Sequence, residues 1–224
     1  MKFNNDMLRL YAVTDRHWTG EKTLYEQVRD VLMGGATCLQ LREKDLDEAS
    51  FYEEAKNIKE LCRLFDVPFI INDNVMLAKE IDADGVHVGQ DDMACVKARE
   101  ILGPDKIIGV SAHTIEEARI AKEQGADYLG VGAIFPTSSK DDAEVLGIKR
   151  LKEITDTVDL PMVAIGGISY DNCLLLKDTG IDGIAVISAL FGQKNIKQAT
   201  IDLKKRVDAL YETMHTCLTI AGSD

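Results

Sequence analysis

The sequence lacks several features that would assign it to a broad class at once. No window contains about 18 uninterrupted apolar residues, the length of a membrane-spanning helix, so we expect no membrane partner. The five cysteines stand at wide spacings with no C-x-x-C pair, which argues against a disulfide framework or a zinc site and fits a reducing cytoplasm. The first residues, Met1–Asp6, contain no apolar segment of the kind found in signal peptides.

Positive charge is also scarce. The chain has 26 Lys and Arg against 38 Asp and Glu, and the formal net charge of -12 argues against a nucleic-acid partner. An anionic small molecule would have to be held by a few placed cations, because the overall field repels it. Hydrophobic residues make up 46% of the 224 positions, enough to bury the core of one large domain.

Short apolar runs alternate with helical patterns along the chain. Most runs are apolar throughout, which is typical of strands covered on both faces in a parallel sheet. Eight strand–helix units with right-handed crossovers predict a single-domain (β/α)8 barrel over residues 1–214, with an open doubly wound sheet as the alternative. No G-x-G-x-x-G follows the first run, which weakens a dinucleotide-binding version. The candidate strands are Leu8–Val13, Thr37–Leu41, Pro68–Ile71, Gly85–Val88, Ile107–Val110, Tyr128–Val131, Met162–Ile165 and Gly183–Ile187.

Local signals mark where helices begin and end. Asp47 is a candidate helix cap, and Thr23 and Thr114 each precede a Glu at the spacing of a capping box. Similar turns lead from a helix into a strand at several points, which indicates an internal repeat. These turns are Gly35-Ala36-Thr37, Gly125-Ala126-Asp127, Gly180-Ile181-Asp182 and, more loosely, Ala83-Asp84-Gly85.

Charged residues follow the strands at the ends where parallel barrels keep their chemistry. Arg42 and Lys44 follow the second strand, and Lys140 lies in the longest irregular stretch, 135–147. Arg binds phosphate through two parallel donors, and Lys supplies a mobile point charge. Asp73 and Asp92 follow the neighbouring third and fourth strands, so they could share a magnesium ion with a polyphosphate. An Asp that opens a helix is often only a cap, and spacing alone leaves both interpretations open.

Glycines after the seventh strand indicate a phosphate site. Gly166 and Gly167 separate that strand from an expected helix start, and Ile187-Ser188-Ala189 follows the eighth strand. Barrels frequently bind phosphate between these two loops, although a tight turn alone would also explain the glycines.

The histidines and serines give weaker signals. We expect His87, inside an apolar strand, to be a packed and hydrogen-bonded core residue, and His113 to lie within reach of the site. Ser111 has no evident His and Asp partners, so a hydrolase triad is unsupported.

Together these segments resemble the thiamine-phosphate synthase family. The departures are small, because Asp91 stands where Glu is usual and Ser139 where Thr is common, and both keep the type of functional group. The matching segments occur in order, at family-like spacing and over nearly the whole barrel: Gln40–Lys44, Asn72-Asp73, Gly85–Asp92, Gly109–His113, Phe135–Lys140, Ala164–Ile168 and Ile187-Ser188.

The resemblance implies a (β/α)8 transferase that joins hydroxymethylpyrimidine diphosphate to a thiazole phosphate and releases pyrophosphate. Magnesium would be held by Asp73 and Asp92, and the catalytic residues would be Arg42, Lys44, Lys140 and Ser111. The pyrimidine diphosphate would be bound by Gln40, Leu41, Arg42, Glu43, Lys44, Asn72, Ser111 and Lys140. The thiazole phosphate would be bound by Thr137, Ser138, Ser139, Gly167, Ile187 and Ser188. A homo-oligomer is compatible with the family.

The sequence leaves two alternative functions and two interpretations of the C-terminal tail open. A thiazole tautomerase-like barrel should carry a proton-shuttling His just after the sixth strand, where this chain has Gly132-Ala133-Ile134. A non-catalytic barrel that binds thiamine precursors and regulates would not need the full set of leaving-group residues. Residues 215–224 resemble the beginning of a hydroxymethylpyrimidine-phosphate kinase, which suggests fusion to or association with such a kinase, with a chance apolar tail as the alternative.

Overall fold

The computed structural model describes residues 3–90, 93–137 and 144–212. Eight parallel strands pair in chain order, and the last pairs with the first, which closes the barrel. The predicted (β/α)8 barrel is therefore confirmed, and the open-sheet alternative is wrong. The strands are β1 Leu10–Val13, β2 Cys38–Leu41, β3 Phe69–Asn72, β4 Gly85–Val88, β5 Ile107–Ala112, β6 Tyr128–Val131, β7 Met162–Ile165 and β8 Gly183–Val186.

Helices connect the strands on the outside of the barrel. They are α1 Leu24–Met33, α2 Glu48–Leu64, α3 Val75–Glu80, α4 Cys95–Leu102, α5 Ile115–Glu123, α6 Gly147–Thr157, α7 Ser188–Phe191 and α8 Ile196–Glu212. Within the described ranges, none of them has both the length and the apolar composition needed to cross a bilayer. The tail assigned to residues 215–224 lies outside the described residues.

The connection after β7 differs from the prediction. No α-helix begins after Gly166 and Gly167, and the connection contains only a short 3-10 helix, Cys173–Leu176. The reason is local, because the Asn172 side chain accepts the N–H of Ser169 and donates to the C=O of Gly167. These bonds hold the backbone in a turn where a helix would otherwise start.

The capping predictions are largely confirmed. Asp47 caps α2, and Thr23 and Glu26 form a complete capping box at α1. At α5 the Thr114 hydroxyl accepts the N–H of Glu117, but the second half of the predicted box is wrong. The Glu117 carboxylate accepts the backbone N–H of His113 instead, since the end of β5 lies within its reach.

Strand residues alternate between two cores. One set packs between the barrel and the helices, as Leu39 and Phe69 do, and the other fills the barrel interior, as Ile70 and Val163 do. Both faces of each strand are covered, which explains why the strands read as continuous apolar runs.

The repeated helix-to-strand turns share one hydrogen-bond arrangement. The residue just before each even-numbered strand accepts, through its side chain, a backbone N–H at the beginning of the preceding strand. Its own N–H donates to the C=O of the same partner. The repeat therefore ties neighbouring strands together at the N-terminal end of the barrel. The side-chain bonds join Thr37 to Leu10 (2.8 Å), Asp84 to Phe69 (2.9 Å), Asp127 to Ile108 (2.7 Å) and Asp182 to Met162 (2.9 Å).

We expect Asp182→Ala to lower the free energy of unfolding by about 1–3 kcal/mol, because the buried N–H of Met162 loses its side-chain acceptor. Asp182→Asn keeps an acceptor oxygen at the same position and serves as the control. Urea denaturation of both variants measures the difference. Equal losses in the two variants would contradict this role of the side chain.

Candidate active site

A cavity of about 770 Å³ opens at the C-terminal ends of the strands. Its volume falls in the range of small-molecule sites, and its position is where barrels of this type carry out chemistry. It gathers predicted site residues from six of the strands or the loops that follow them. These residues are Gln40, Arg42, Lys44, Asn72, Ser111, Thr137, Gly167, Ile187 and Ser188.

Other predicted site residues take different positions. The Leu41 side chain is fully buried between the barrel and the helices, so it does not line the cavity. The Glu43 side chain is also outside the cavity lining, since it pairs with Arg16. Any contact of these two residues with a substrate in the cavity would therefore run through the backbone. Asp92, Ser138, Ser139 and Lys140 lie outside the described residues.

The loop after β2 is fixed by the loop after β1. The buried Thr14 hydroxyl accepts the N–H of Arg42 (2.9 Å) and donates to its C=O (3.3 Å). Asp15 lies 3.8 Å from the Arg42 guanidinium, and Arg16 binds Glu43 through two N–H groups, at 3.1 and 2.9 Å. Burial raises the pKa of the Glu43 carboxyl, and the bonds from Arg16 oppose that rise.

Thr14, Asp15 and Arg16 were missed as site residues. They follow an apolar strand in the same way as Arg42 and Lys44, so the signal for them was present in the sequence. What the sequence does not give is that the loops after β1 and β2 meet through the Arg16–Glu43 pair.

The loop after β7 is shaped by two glycines with positive φ, 95° at Gly166 and 65° at Gly167. A Cβ on Gly167 would stand 2.4 Å from the carbonyl oxygen of Pro136, so only glycine fits against the loop after β6. Ser188 begins α7 directly after β8. Thr137, Gly167 and Ser188 also line a smaller recess of about 330 Å³ beside the main cavity. The loops after β7 and β8 therefore meet where a phosphate site was expected.

The floor of the cavity is crossed by a line of hydrogen bonds from Gln40 to Tyr11, Tyr128, His87 and Ser111, which we call the polar chain. Burial raises the pKa of both phenols well above the ordinary tyrosine value, so both stay neutral at physiological pH. The expectation that His87 is a packed, hydrogen-bonded residue is confirmed, and His87 also lines the cavity. The two tyrosines were not anticipated, because a Tyr in an apolar strand usually signals packing alone.

Glycine makes room for the polar chain inside the barrel. A Cβ on Gly109 would stand 2.1 Å from Cζ of Tyr128 and 2.5 Å from Nδ1 of His87. The segment Gly109-Val110-Ser111 therefore places an empty position and a hydroxyl on the same inward face of β5. His113 lies beyond it at the rim, lines the cavity as expected, and contacts Glu117 at 3.2 Å.

Asp73 is the described candidate for a metal ligand. It is exposed at the end of β3, its N–H donates to the C=O of His87 (2.8 Å), and its φ of 62° is left-handed. Among the residues that the structure describes, three other aspartates share this conformation, but each of them follows a helix. Among the described residues, no three His, Cys, Asp or Glu side chains form a metal cluster. Asp73 does not line the cavity itself, but it directly follows Asn72, which does. An exposed carboxylate at this position fits magnesium, which takes few protein ligands and completes its shell with water and phosphate oxygens.

Comparisons with known proteins show the family of the chain. Residues 10–190 match the family described as thiamine monophosphate synthase. The chain is 49% identical to the thiamine-phosphate synthase of Clostridium acetobutylicum over 189 residues, covering 84% of this chain and 90% of that protein. It is 52% identical to that of Desulfitobacterium hafniense over 187 residues, covering 83% and 90%.

A solved structure gives the same result. The thiamine phosphate pyrophosphorylase of Pyrococcus furiosus has 43% sequence identity and a TM-score of 0.86 to this chain, covering 92% of this chain and 98% of that one. On the family match and on relatives of this identity and coverage, the chain belongs to the thiamine monophosphate synthase family.

Proposed function

We propose that this protein condenses 4-amino-2-methyl-5-hydroxymethylpyrimidine diphosphate with 4-methyl-5-(2-phosphoethyl)thiazole to give thiamine phosphate and pyrophosphate. The observation that carries the proposal is that one cavity brings together two sets of groups suited to bind anions. Arg42 and Lys44 line one side, and Gly167 and Ser188 line another. Two phosphorylated substrates that must meet would each need such a site, and the family membership points to the same pair of molecules.

Charge on the leaving group is what the protein must stabilise. The amino group of the pyrimidine donates electrons into the ring and toward the exocyclic methylene, so the C–O bond can break before attack. The bonding pair leaves with the pyrophosphate, and the cations Arg42, Lys44 and Lys140 would stabilise it. Donors already fixed in place need no reorganisation as this charge develops.

The second half of the reaction depends on orientation. The thiazole nitrogen attacks the exocyclic carbon with its own lone pair, a C–N bond forms, and no proton has to be removed from that nitrogen. A phosphate held near Gly167 and Ser188 would keep the nitrogen close to the carbon, which replaces a rare collision by a positioned one. A strong general base is therefore not required.

Asp73 and Asp92 would hold magnesium beside the diphosphate. When bound, the ion supplies positive charge that neutralises the departing pyrophosphate. Register pairs Asn72 with His87 on β3 and β4, so the loops that carry the two aspartates leave neighbouring strands. That adjacency and the hard oxygen donors are the support for this site.

The two alternative functions have less support. A thiazole tautomerase-like reaction needs a proton-shuttling group after β6, and residues 132–137 there contain no histidine. A regulatory barrel that only binds precursors would not need the full set of leaving-group residues, Arg42, Lys44, Lys140, Asp73 and Asp92, of which Arg42 and Lys44 line the cavity.

The direct test is to incubate the purified protein with both substrates and magnesium and to measure pyrophosphate release. We expect release only when both substrates are present. Consumption of the thiazole phosphate alone would support a tautomerase, and binding of both substrates without release would support the regulatory alternative.

Asp73→Asn tests the magnesium site. Asn tolerates the left-handed backbone but removes the charge, so we expect kcat to fall about 100-fold and the half-saturating magnesium concentration to rise about 10-fold, with little change in stability. Asp66→Asn is the control, because Asp66 is an exposed aspartate with a similar φ of 55° after α2. Similar losses of stability and turnover in the Asp73 variant would overturn the assignment.

Arg42→Ala tests the leaving-group site. We expect kcat/KM for the pyrimidine diphosphate to fall about 100-fold while the KM for the thiazole phosphate changes little, because Arg42 would contact only the first substrate. Arg63→Ala, which removes an exposed guanidinium from α2, is the control. An equal rise in both KM values would show that Arg42 shapes the whole cavity rather than one anion site.

A further inference from the structure

Arg16 links three elements of the fold beside the cavity without lining the cavity itself. It lies in the loop after β1, and its guanidinium donates to both carboxylate oxygens of Glu43 in the loop after β2, at 3.1 and 2.9 Å. The same guanidinium also donates to the carboxylate of Glu54 on α2. A planar guanidinium that binds one carboxylate through two parallel donors fixes both its position and its orientation. Arg16 therefore ties the loops after β1 and β2 to each other and to a helix.

Glu43 is a buried carboxylate that depends on this contact. Its side chain is 2% exposed, and the Arg16 guanidinium is shared between it and a second carboxylate, that of Glu54. Burial raises the pKa of the Glu43 carboxyl, the bonds from Arg16 oppose that rise, and the negative charge of Glu54 adds to it. A buried charge that loses its partner is strongly unfavourable, so the carboxylate then moves to water or to another cation. Arg16 is thus what allows Glu43 to stay charged in its present position.

The residues on either side of Glu43 in the sequence are both cations that line the cavity. Arg42 and Lys44 face it, whereas Glu43 between them does not. The Arg42 backbone is held by the Thr14 hydroxyl, at 2.9 Å to its N–H and 3.3 Å to its C=O. The chain at this point is therefore fixed through its backbone by Thr14 and through the next side chain by Arg16. A Glu43 carboxylate released from Arg16 would have the two cations as its neighbours, and pairing with either would cancel charge that faces the cavity.

We propose that Arg16 is a positioning residue, which holds Glu43 away from the cavity and so keeps the two flanking cations available to a bound diphosphate. This inference rests on the proposed function, which assigns the diphosphate to that side of the cavity. Arg16 touches neither substrate and acts only through Glu43. One consequence separates this role from a general structural one: the effect of Arg16 on diphosphate binding disappears once Glu43 carries no charge.

A cycle of variants tests this dependence. Arg16→Gln removes the charge of the guanidinium and leaves the Glu43 carboxylate without its partner. Arg16→Gln combined with Glu43→Gln removes both charges, which is far less costly for a buried pair than the loss of one. Glu43→Gln alone completes the cycle. Arg63→Gln is the control, because it removes an exposed guanidinium that is paired with Glu60 on α2 at 3.0 Å.

The probes are inorganic pyrophosphate with magnesium and, separately, 4-methyl-5-(2-phosphoethyl)thiazole, and calorimetric titration gives Kd for each. We expect Arg16→Gln to raise Kd for pyrophosphate about 10-fold and to leave Kd for the thiazole phosphate nearly unchanged. The double variant should regain most of the pyrophosphate affinity, and Arg63→Gln should bind both ligands like the wild type. If Arg16→Gln does not fold, the double variant compared with Glu43→Gln still measures the effect of Arg16 on pyrophosphate binding, which should then be less than about twofold.

Several results would overturn this role of Arg16. One is an unchanged Kd for pyrophosphate in Arg16→Gln. Another is a double variant that binds pyrophosphate as weakly as Arg16→Gln, or clearly more weakly than Glu43→Gln, since Arg16 would then not act through Glu43. An equal loss of affinity for both ligands in Arg16→Gln would indicate general damage to the cavity.

The proposed function fails on a different result. A wild type that releases no pyrophosphate from its two substrates would refute the proposed reaction, while the titrations with inorganic pyrophosphate would still decide whether Arg16 protects the cations of the cavity. A wild type that does not bind pyrophosphate with magnesium would overturn the inference itself, because no diphosphate site would remain for Arg16 to support.

Discussion

Closure of the barrel is the constraint on which the site depends. The pairing of β8 with β1 completes a ring of parallel strands, so every C-terminal end opens on the same cavity. Residues as distant in the sequence as Arg42 and Ser188 meet for this reason alone. The four side-chain bonds that precede the even-numbered strands hold the opposite end of the ring. The fold therefore separates the residues that maintain the barrel from those that face a ligand, as is general for this architecture.

Pairing of a carboxylate outside the cavity lets the cavity be positive although the whole chain is negative. A chain of net charge -12 repels anions at long range, so its cavity must be positive only locally. Arg42 and Glu43 are consecutive but diverge, because Arg42 lines the cavity and Glu43 turns to Arg16. The Glu43 carboxylate is thereby neutralised outside the cavity and does not cancel the field of Arg42 and Lys44. Asp15, at 3.8 Å from the Arg42 guanidinium, offsets part of that field, and a direct Arg42–Glu43 pairing would have reduced it further.

The sequence predicts the framework well because its signals are local. Strand boundaries agree within two residues at every end, and Asp47 and Thr23 cap their helices as expected. The structure shows that Gln40 faces inward and Leu41 faces the helices, as strand geometry requires of consecutive residues. A resemblance carries over a whole segment and does not make that distinction. The prediction of a helix after β7 was wrong because the Asn172 side-chain hydrogen bonds compete with helix formation. The periodicity of apolar residues does not reveal such bonds.

What the sequence could not give is the interior of the barrel. Tyr11 lies on β1, His87 on β4 and Tyr128 on β6. The hydroxyls of the two tyrosines meet at 2.7 Å across the interior of the barrel. Contacts between strands that are not neighbours leave no trace in a single sequence. Yet these groups could be buried only as a set, since each unpaired polar atom would cost about 1–3 kcal/mol. A barrel filled with aliphatic side chains would avoid that risk. The polar chain lies beneath the cavity instead, where Tyr11, Gln40, His87 and Ser111 all line it and each satisfies another member of the chain.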